Sequence, residues 1–213
     1  MSNTSFLVHK NNLFETSFSE NDKPEIGDGE VLLKIEKYAF TSNNITYGVV
    51  GHQVGYWKFF PVDNPNGIIP IWGFAEVVES NYESIKVGER VYGYLPMSTY
   101  LKVEPAKHSP RGFVANAEHR RALPPIYNYL NYVKSNMPGE DFMPIIRPLF
   151  TTGFLSYHFL KEADFFEANQ VILTSASSKT ALGLAYFLSQ NREKDGRQII
   201  GLTSKRNIEF VKG

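Results

Sequence analysis

The chain has 213 residues, enough for one large domain or two small ones, and its 22 basic and 22 acidic residues leave no formal net charge. That balance excludes a general nucleic-acid or membrane surface, and the absence of cysteine excludes disulfides and thiolate zinc sites. The N-terminus lacks a signal peptide's apolar region and no run reaches membrane-spanning length, so we expect a cytoplasmic protein without membrane contact.

Short strands punctuated by turns are predicted over the first half of the chain. One or two edge strands fall within residues 1–25, and apolar and polar residues alternate over 31–36 after an Asp28-Gly29 turn. Further strands are predicted over 71–79, after the turn at 86–91, and over 99–103. Residues 38–67 are predicted as a long aromatic-rich loop. This pattern indicates a β-rich domain, barrel or sandwich.

The pattern changes in the second half. Pro124-Pro125 predicts the start of one helix and Pro148 the start of another, which continues to about Phe159. An apolar strand over 171–174, a helix to about Gln190, a charged turn, a strand over 198–203 and a helical stretch from Asn207 follow. We therefore place a domain boundary near residue 145 and an alternating βαβ part after it.

The segment 171–183 carries the clearest functional pattern, because a buried strand leads through small polar residues into a helix. Such a turn directs backbone N–H groups and the positive end of a helix at one point, which suits a phosphate. The turn itself has no glycine, and Ser175, Ser178 and Ala181, the next smallest residues, stand three apart where glycines of a dinucleotide fingerprint would be expected, in an imperfect match. A P-loop and a serine-hydrolase elbow are both excluded, because the glycines that these motifs require are missing from this sequence. An ordinary strand–helix connection remains an alternative interpretation of the turn.

Three sets of residues, in this order, resemble the medium-chain dehydrogenase/reductase superfamily. They are Gly29-Glu30-Val31-Leu32-Leu33-Lys34-Ile35 with Asn43-Asn44, the pair Gly73-Phe74-Ala75-Glu76 and Lys86-Val87-Gly88-Glu89-Arg90-Val91, and Phe150-Thr151-Thr152-Gly153. The strings Gly55-Tyr56-Trp57, Arg147-Pro148-Leu149-Phe150 and Ser175-Ala176-Ser177-Ser178-Lys179-Thr180-Ala181 are closer still to an uncharacterised family within it.

The resemblance implies a GroES-like β-barrel domain over 1–145, followed over 146–213 by the first βαβ part of a Rossmann domain. The fold class is thus α/β plus β, and we expect a C-terminally truncated chain, since only two of about six Rossmann strands are present. Zinc enzymes of the superfamily have a cysteine near Asn43 and a histidine after Gly73. Phe74 follows Gly73 here, and the five histidines show no ligand spacing, so we expect no metal.

By resemblance, Asn44 (or Asn43) lies at the substrate end of the cleft and donates to the substrate oxygen, although either residue also fits a plain turn. Tyr47, Tyr56 and Tyr94 are candidates to line the pocket or donate a proton, against a purely structural role. Thr151 and Thr152 match positions on the nicotinamide side of the cofactor, or serve helix packing.

Cofactor residues are predicted at two places. The pyrophosphate turn comprises Ser175, Ser177, Ser178, Lys179 and Thr180. After the second strand come Thr203, Ser204, Lys205 and Arg206, with no acid before Glu209. NAD-specific proteins place a carboxylate there, whereas hydroxyl, ammonium and guanidinium groups bind a 2′-phosphate. The predicted cofactor is NADP(H), unless Lys205 and Arg206 are a solvated surface pair.

The resemblance implies a zinc-independent reductase that transfers hydride directly to a small carbonyl, enone or quinone-like substrate. It also allows a homodimer of the full-length protein. A non-catalytic descendant that binds a nucleotide or a partner protein is the alternative, which the missing glycines keep open.

Overall fold

Antiparallel sheets build the first of two units, Met1–Glu140, and parallel strands with helices build the second, Asp141–Gly213. These units are seen in a computed structural model that describes residues 2–212. The predicted class, β followed by α/β, is confirmed. Within the described range no helix is both long and apolar enough to cross a membrane.

Ten strands form the first unit. They are β1 (Ser2–His9), β2 (Asn12–Asp22), β3 (Val31–Ala39), β4 (Asn66–Gly67), β5 (Ile71–Ser80), β6 (Arg90–Leu95), β7 (Tyr100–Val103), β8 (Pro105–Ser109), β9 (Gly112–Ala115) and β10 (Tyr129–Val133). Seven pair in the order β7-β3-β5-β6-β10-β9-β8, and the other three in the order β2-β1-β4. Apolar residues from both faces are fully buried at the start of β3, where Leu32 is as inaccessible as Val31 and Leu33.

The predicted loop over 38–67 is wrong in its first half. Two helices, α1 (Ser42–Val49) and α2 (Gly51–Val54), and a 3₁₀ turn at Tyr56–Lys58 occupy it. Thr41 starts α1 through a capping box, because its hydroxyl accepts from the backbone while the Asn44 side chain accepts from the Thr41 N–H. An asparagine takes the place of the usual glutamate or glutamine, so the sequence signal for the helix start is weak.

Both proline-initiated helices differ from prediction. Pro125–Tyr127 is only a 3₁₀ turn, and the predicted helix is replaced by β10, which pairs with β6 and β9 and buries Leu130 completely. Long-range pairing overrides the local helical spacing here. The second helix, α3 (Met143–Glu162), begins at Met143 with Pro144 in its first turn, and the predicted start, Pro148, lies inside it.

In the second unit, α3 precedes a strand–helix–strand segment. Its elements are β11 (Gln170–Leu173), α4 (Lys179–Gln190), the short α5 (Arg192–Asp195), β12 (Gln198–Gly201) and α6 (Ile208–Lys212). Strands β11 and β12 are parallel neighbours, with Val171 opposite Ile199. The predicted βαβ order is therefore confirmed, although α5 occupies part of the predicted charged turn.

Helices α3 and α4 of this unit cross at two glycines. A Cβ atom placed on Gly153 would lie 2.6 Å from the Leu184 backbone nitrogen, and one on Gly183 would lie 3.2 Å from the Phe150 Cα. Only glycine allows this approach at Gly153, because the opposing atoms belong to the backbone and cannot move aside. The crossing thus sets the distance between α3 and α4, the helix that follows the predicted cofactor turn.

An ion cluster fixes the end of the first unit. The Glu140 carboxylate, whose side chain is 8% exposed, accepts two bonds of 3.1 Å from Arg90 and lies 2.9 Å from the Lys37 Nζ. Arg90 also binds Glu36 at 2.7 Å. Hydrogen bonds from Arg90 and then Lys37 lower the pKa of Glu140 to about 2.

Candidate functional site

The turn between β11 and α4 is tight and leads directly into a capped helix. Ser175 adopts a left-handed conformation, with φ at +50°, which usually favours glycine. The Ser178 N–H donates to the Ser175 carbonyl over 2.8 Å and closes the turn. Ser178 then caps α4, since its hydroxyl accepts from the Ala181 N–H at 3.3 Å. The remaining first-turn N–H groups of α4 have no intrahelical acceptor.

The segment after β12 lies against this turn. The Ala176 N–H donates to the Leu202 carbonyl over 2.9 Å. The half-buried Ser177 hydroxyl is bonded by the Thr203 hydroxyl at 3.4 Å and by the Asn207 side-chain amide at 2.9 Å. The structure therefore brings the two predicted groups of cofactor residues together. Asn207 was missed, because nothing in its local sequence indicates a contact with a turn 30 residues earlier.

Three cations surround this edge of the sheet. Lys179, Lys205 and Arg206 are exposed, and within residues 2–212 none of them pairs with a carboxylate. The first acid after β12, Glu209, lies 3.6 Å from Lys212 instead. The edge therefore carries uncompensated positive charge next to a helix N-terminus, an arrangement that attracts phosphate.

Thr151 and Thr152 lie on α3 immediately before the Gly153 crossing. The Thr152 hydroxyl donates to the Pro148 carbonyl at 3.1 Å within the same helix, and Thr151 is half-buried. Both residues thus flank the α3–α4 contact, and the Thr152 hydroxyl is already engaged by backbone.

In the first unit, the candidate tyrosines belong to one aromatic cluster. The ring centroids of Tyr47 and Tyr56 are 4.7 Å apart, and those of Tyr47 and Tyr94 are 5.5 Å apart. Trp72 and Tyr127 join them, with Tyr127 4.6 Å from Tyr94 and its hydroxyl 3.2 Å from that of Tyr56. The sequence analysis missed Tyr127, because it predicted a helix where Tyr127 ends a 3₁₀ turn.

The Tyr47 hydroxyl is held from two sides. Its oxygen accepts from the Trp72 indole N–H at 3.1 Å and from the Asn43 side-chain amide at 3.0 Å. Burial raises the pKa of Tyr47, and these two hydrogen bonds oppose that rise. Because the oxygen already accepts two bonds, its own proton is left to donate.

The Asn44 side chain has a structural role, because both ends of its amide bond to backbone groups. Its side chain is buried, accepts from the Thr41 N–H at 2.8 Å and donates to the Pro70 carbonyl at 3.0 Å. Tyr94 is also fully buried, which raises its pKa, and its hydroxyl has no hydrogen-bond partner in the described chain. Of the two asparagines, only the half-buried Asn43 presents its amide to a candidate tyrosine.

Among residues 2–212 no group of histidine, aspartate or glutamate side chains could hold a metal ion. His52 is exposed, and its ring lies 6.4 Å from that of Trp57.

A family model described as "Protein of unknown function (DUF2855)" matches residues 38–213. The chain belongs to this family. Comparison with curated proteins finds no match.

Solved structures show the same fold at low identity. CurA from Vibrio vulnificus in complex with NADPH is 13% identical, with a TM-score of 0.58, and the match covers 98% of this chain and 54% of CurA. The quinone oxidoreductase from Coxiella burnetii (14%, 0.53) is covered over 60% of its length, and an alcohol dehydrogenase superfamily protein from Novosphingobium aromaticivorans (14%, 0.52) over 56%, each across 100% of this chain.

The chain therefore spans between half and two thirds of these proteins. Its fold is that of their GroES-like β-barrel followed by the first βαβ part of a Rossmann domain.

Proposed function

We propose that this DUF2855 protein is an NADP(H)-dependent, zinc-independent oxidoreductase that acts on a small carbonyl, enone or quinone-like substrate. The observation that carries the proposal is the contact between the 175–180 turn and the 203–207 segment through Ser177, at an edge with three unpaired cations. The NADPH complex of CurA, which shares the fold, supports the choice of cofactor. We further propose that the division near residue 145 separates a substrate domain from a nucleotide domain.

The residues present fit a dinucleotide with a 2′-phosphate. The first turn of α4, with Ser178, Lys179 and Thr180, would hold the pyrophosphate through N–H groups and one cation. Ser204, Lys205 and Arg206 would hold the 2′-phosphate, which a carboxylate at this place would repel. When bound, the nicotinamide supplies the hydride.

Tyr47 is the residue we assign to the substrate oxygen. Its raised pKa keeps the phenol protonated at neutral pH, and because Trp72 and Asn43 donate to its oxygen, its own proton is left to donate to the substrate. A donor held in advance stabilises negative charge as it develops on the acceptor oxygen. We assign Asn44 to helix capping rather than to chemistry, and Tyr56 to orienting the Tyr47 ring.

The test is NADPH oxidation by the chain with a panel of enones and quinones, compared between wild type and Tyr47→Phe. Loss of the phenol proton should lower kcat by about 10²-fold, with NADPH affinity unchanged. Tyr129→Phe is the matched control, because the Tyr129 hydroxyl contacts Ser109, outside the aromatic cluster. Equal rates in wild type and Tyr47→Phe would remove Tyr47 from the mechanism.

A binder without chemistry is the second candidate. It is favoured by Ser175, which replaces glycine at a left-handed position, and by the engagement of the Asn44 amide in the fold. NADPH binding without turnover of any enone or quinone would support this candidate over the reductase.

A further inference from the structure

Arg120 is a buried cation in the first unit. It ends the 3₁₀ turn Glu118–Arg120 and is only 2% exposed. Its Nε donates to the Asn128 side-chain oxygen at 3.0 Å and one Nη donates to the Tyr127 carbonyl at 3.0 Å. The guanidinium lies over two phenylalanine rings, 5.4 Å from the centre of Phe59 and 5.1 Å from that of Phe60.

The Arg120 charge has no counter-ion in the described chain. No carboxylate of residues 2–212 pairs with it, and the two acceptors named above use two of its five N–H groups. Burial lowers the pKa of Arg120 to about 10, which leaves the guanidinium protonated at neutral pH. A buried charge normally has a partner, because isolating it from water is costly.

A cavity of about 310 Å³ lies beside Arg120, and every residue that lines it belongs to the first unit. Apolar side chains form much of the wall, among them Phe59, Phe60, Ile68 and Val103. Ser5 and Ser98 also line the cavity, and their hydroxyls bond each other over 2.7 Å.

The charges around the cavity favour a monoanion. Lys102, the other permanent cation in the wall, is 3.3 Å from Glu30 and is therefore already paired. Glu104 lines the cavity too, but it is exposed to solvent. His119 is also exposed, and its Nε2 lies 3.3 Å from the Phe59 carbonyl. Arg120 is thus the one buried, unpaired charge among the lining residues.

We propose that this cavity binds a small organic anion, whose carboxylate pairs with Arg120 and whose apolar body packs against Phe59 and Phe60. A planar guanidinium matches a carboxylate through two parallel hydrogen bonds. The volume lies at the lower end of the range for small-molecule sites, so it suits a ligand with one ring or a short alkyl chain. This site does not depend on the proposed cofactor site, whose residues lie in the second unit.

Calorimetric titration of the chain with benzoate, benzamide and inorganic phosphate tests the proposal. Benzamide has nearly the shape of benzoate without its charge. We expect saturable benzoate binding at least about tenfold tighter than that of benzamide, because hydrogen bonds to a charged partner are lost in the amide. Phosphate should bind more weakly than benzoate, since it has no apolar body to fill the cavity.

Two variants locate the binding. Arg120→Met should weaken benzoate binding at least about tenfold, by loss of the charge. Ala117→Leu keeps Arg120 and fills part of the cavity, so it should weaken benzoate and benzamide alike. Both tryptophans lie in the first unit, so their fluorescence reports whether that unit stays folded in each variant. NADPH affinity should stay at the wild-type value in both.

Any of three results would overturn the proposal: no saturable benzoate binding, equal affinity for benzoate and benzamide, or wild-type benzoate affinity in folded Arg120→Met or Ala117→Leu. Phosphate binding tighter than benzoate would also overturn the organic-anion assignment. If the wild-type protein does not bind NADPH, the proposed function is contradicted, but the proposal of an anion site beside Arg120 is not affected.

Discussion

We propose that Lys205 and Arg206 set the cofactor preference of the candidate site. Replacing either with alanine removes a charged hydrogen bond to the 2′-phosphate, worth roughly 1.5–3 kcal/mol. NADPH affinity should therefore fall about 10–150-fold while NADH affinity hardly changes, as measured by calorimetry. Lys212→Ala is the control, since Lys212 is exposed on α6 and pairs with Glu209. If the ratio of NADPH to NADH affinity is unchanged in both Lys205→Ala and Arg206→Ala, this role is contradicted.

Glu140 gives the first unit a predicted acid sensitivity. Its folded pKa of about 2 lies below the ordinary value of 4.5, so its contribution to stability is present above pH 4.5 and is lost as the pH falls towards 2. Glu140→Gln should lower the free energy of unfolding at pH 7 by about 1–2 kcal/mol, through loss of its charged hydrogen bonds.

The difference between wild type and Glu140→Gln should shrink between pH 4.5 and 2, because the wild-type carboxyl becomes protonated and is then uncharged, like the glutamine amide. Urea unfolding followed by tryptophan fluorescence measures it, since both tryptophans lie in this unit. Glu25→Gln, at an exposed acid outside the ion cluster, controls for a general charge effect. A stability difference that is constant with pH would contradict the ion-cluster explanation.

At the scale of elements, the α3–α4 crossing should tolerate no side chain. Gly153→Ala places a Cβ 2.6 Å from a backbone nitrogen, so the helices must separate. Overpacking costs about 1–3 kcal/mol, against a gain of about 1 kcal/mol in helix propensity. We expect a net loss of up to about 2 kcal/mol, read as faster amide exchange over α3 and α4. Glu162→Ala, exposed at the end of α3, should leave exchange nearly unchanged.

Elements with a local signal were predictable from the sequence. The βαβ segment shows an apolar strand and a helical repeat, and β5 lies within one residue of its prediction. Helix α1 was missed because it is short and depends on a capping asparagine. Strand β10 was missed because its pairing with β6 and β9 spans tens of residues.

The same distinction applies to the candidate site. The turn at 175–180 and the cations at 205–206 follow from local patterns, and the structure places the two segments in contact through Ser177. Asn207 and Tyr127 reach their partners only through tertiary structure, so no local pattern identifies them. Burial of a single arginine such as Arg120 likewise leaves no periodic signal.

On the scale of the whole molecule, each unit has its own hydrophobic core. Residues such as Val31, Leu95 and Phe113 form the core of one sheet in the first unit, and Tyr157, Leu173 and Leu188 form that of the second. Between residues 141 and 212 the structure has a single pair of parallel strands, and the chain spans 54% of CurA and 60% of the quinone oxidoreductase. The activity of the whole protein is accordingly the central proposal to test.

Transfer of deuterium to an enone from NADPH that carries deuterium at both hydrogen positions of the nicotinamide C4 tests that proposal most directly. The chain is mixed with labelled NADPH and substrate, and the product is analysed by mass spectrometry. Direct hydride transfer predicts oxidation of the cofactor and one cofactor-derived deuterium at the β-carbon of each product molecule, whereas labelled solvent supplies only the proton at the α-carbon. NADPH that binds but stays reduced with every enone and quinone, or a product without deuterium, would contradict the reductase.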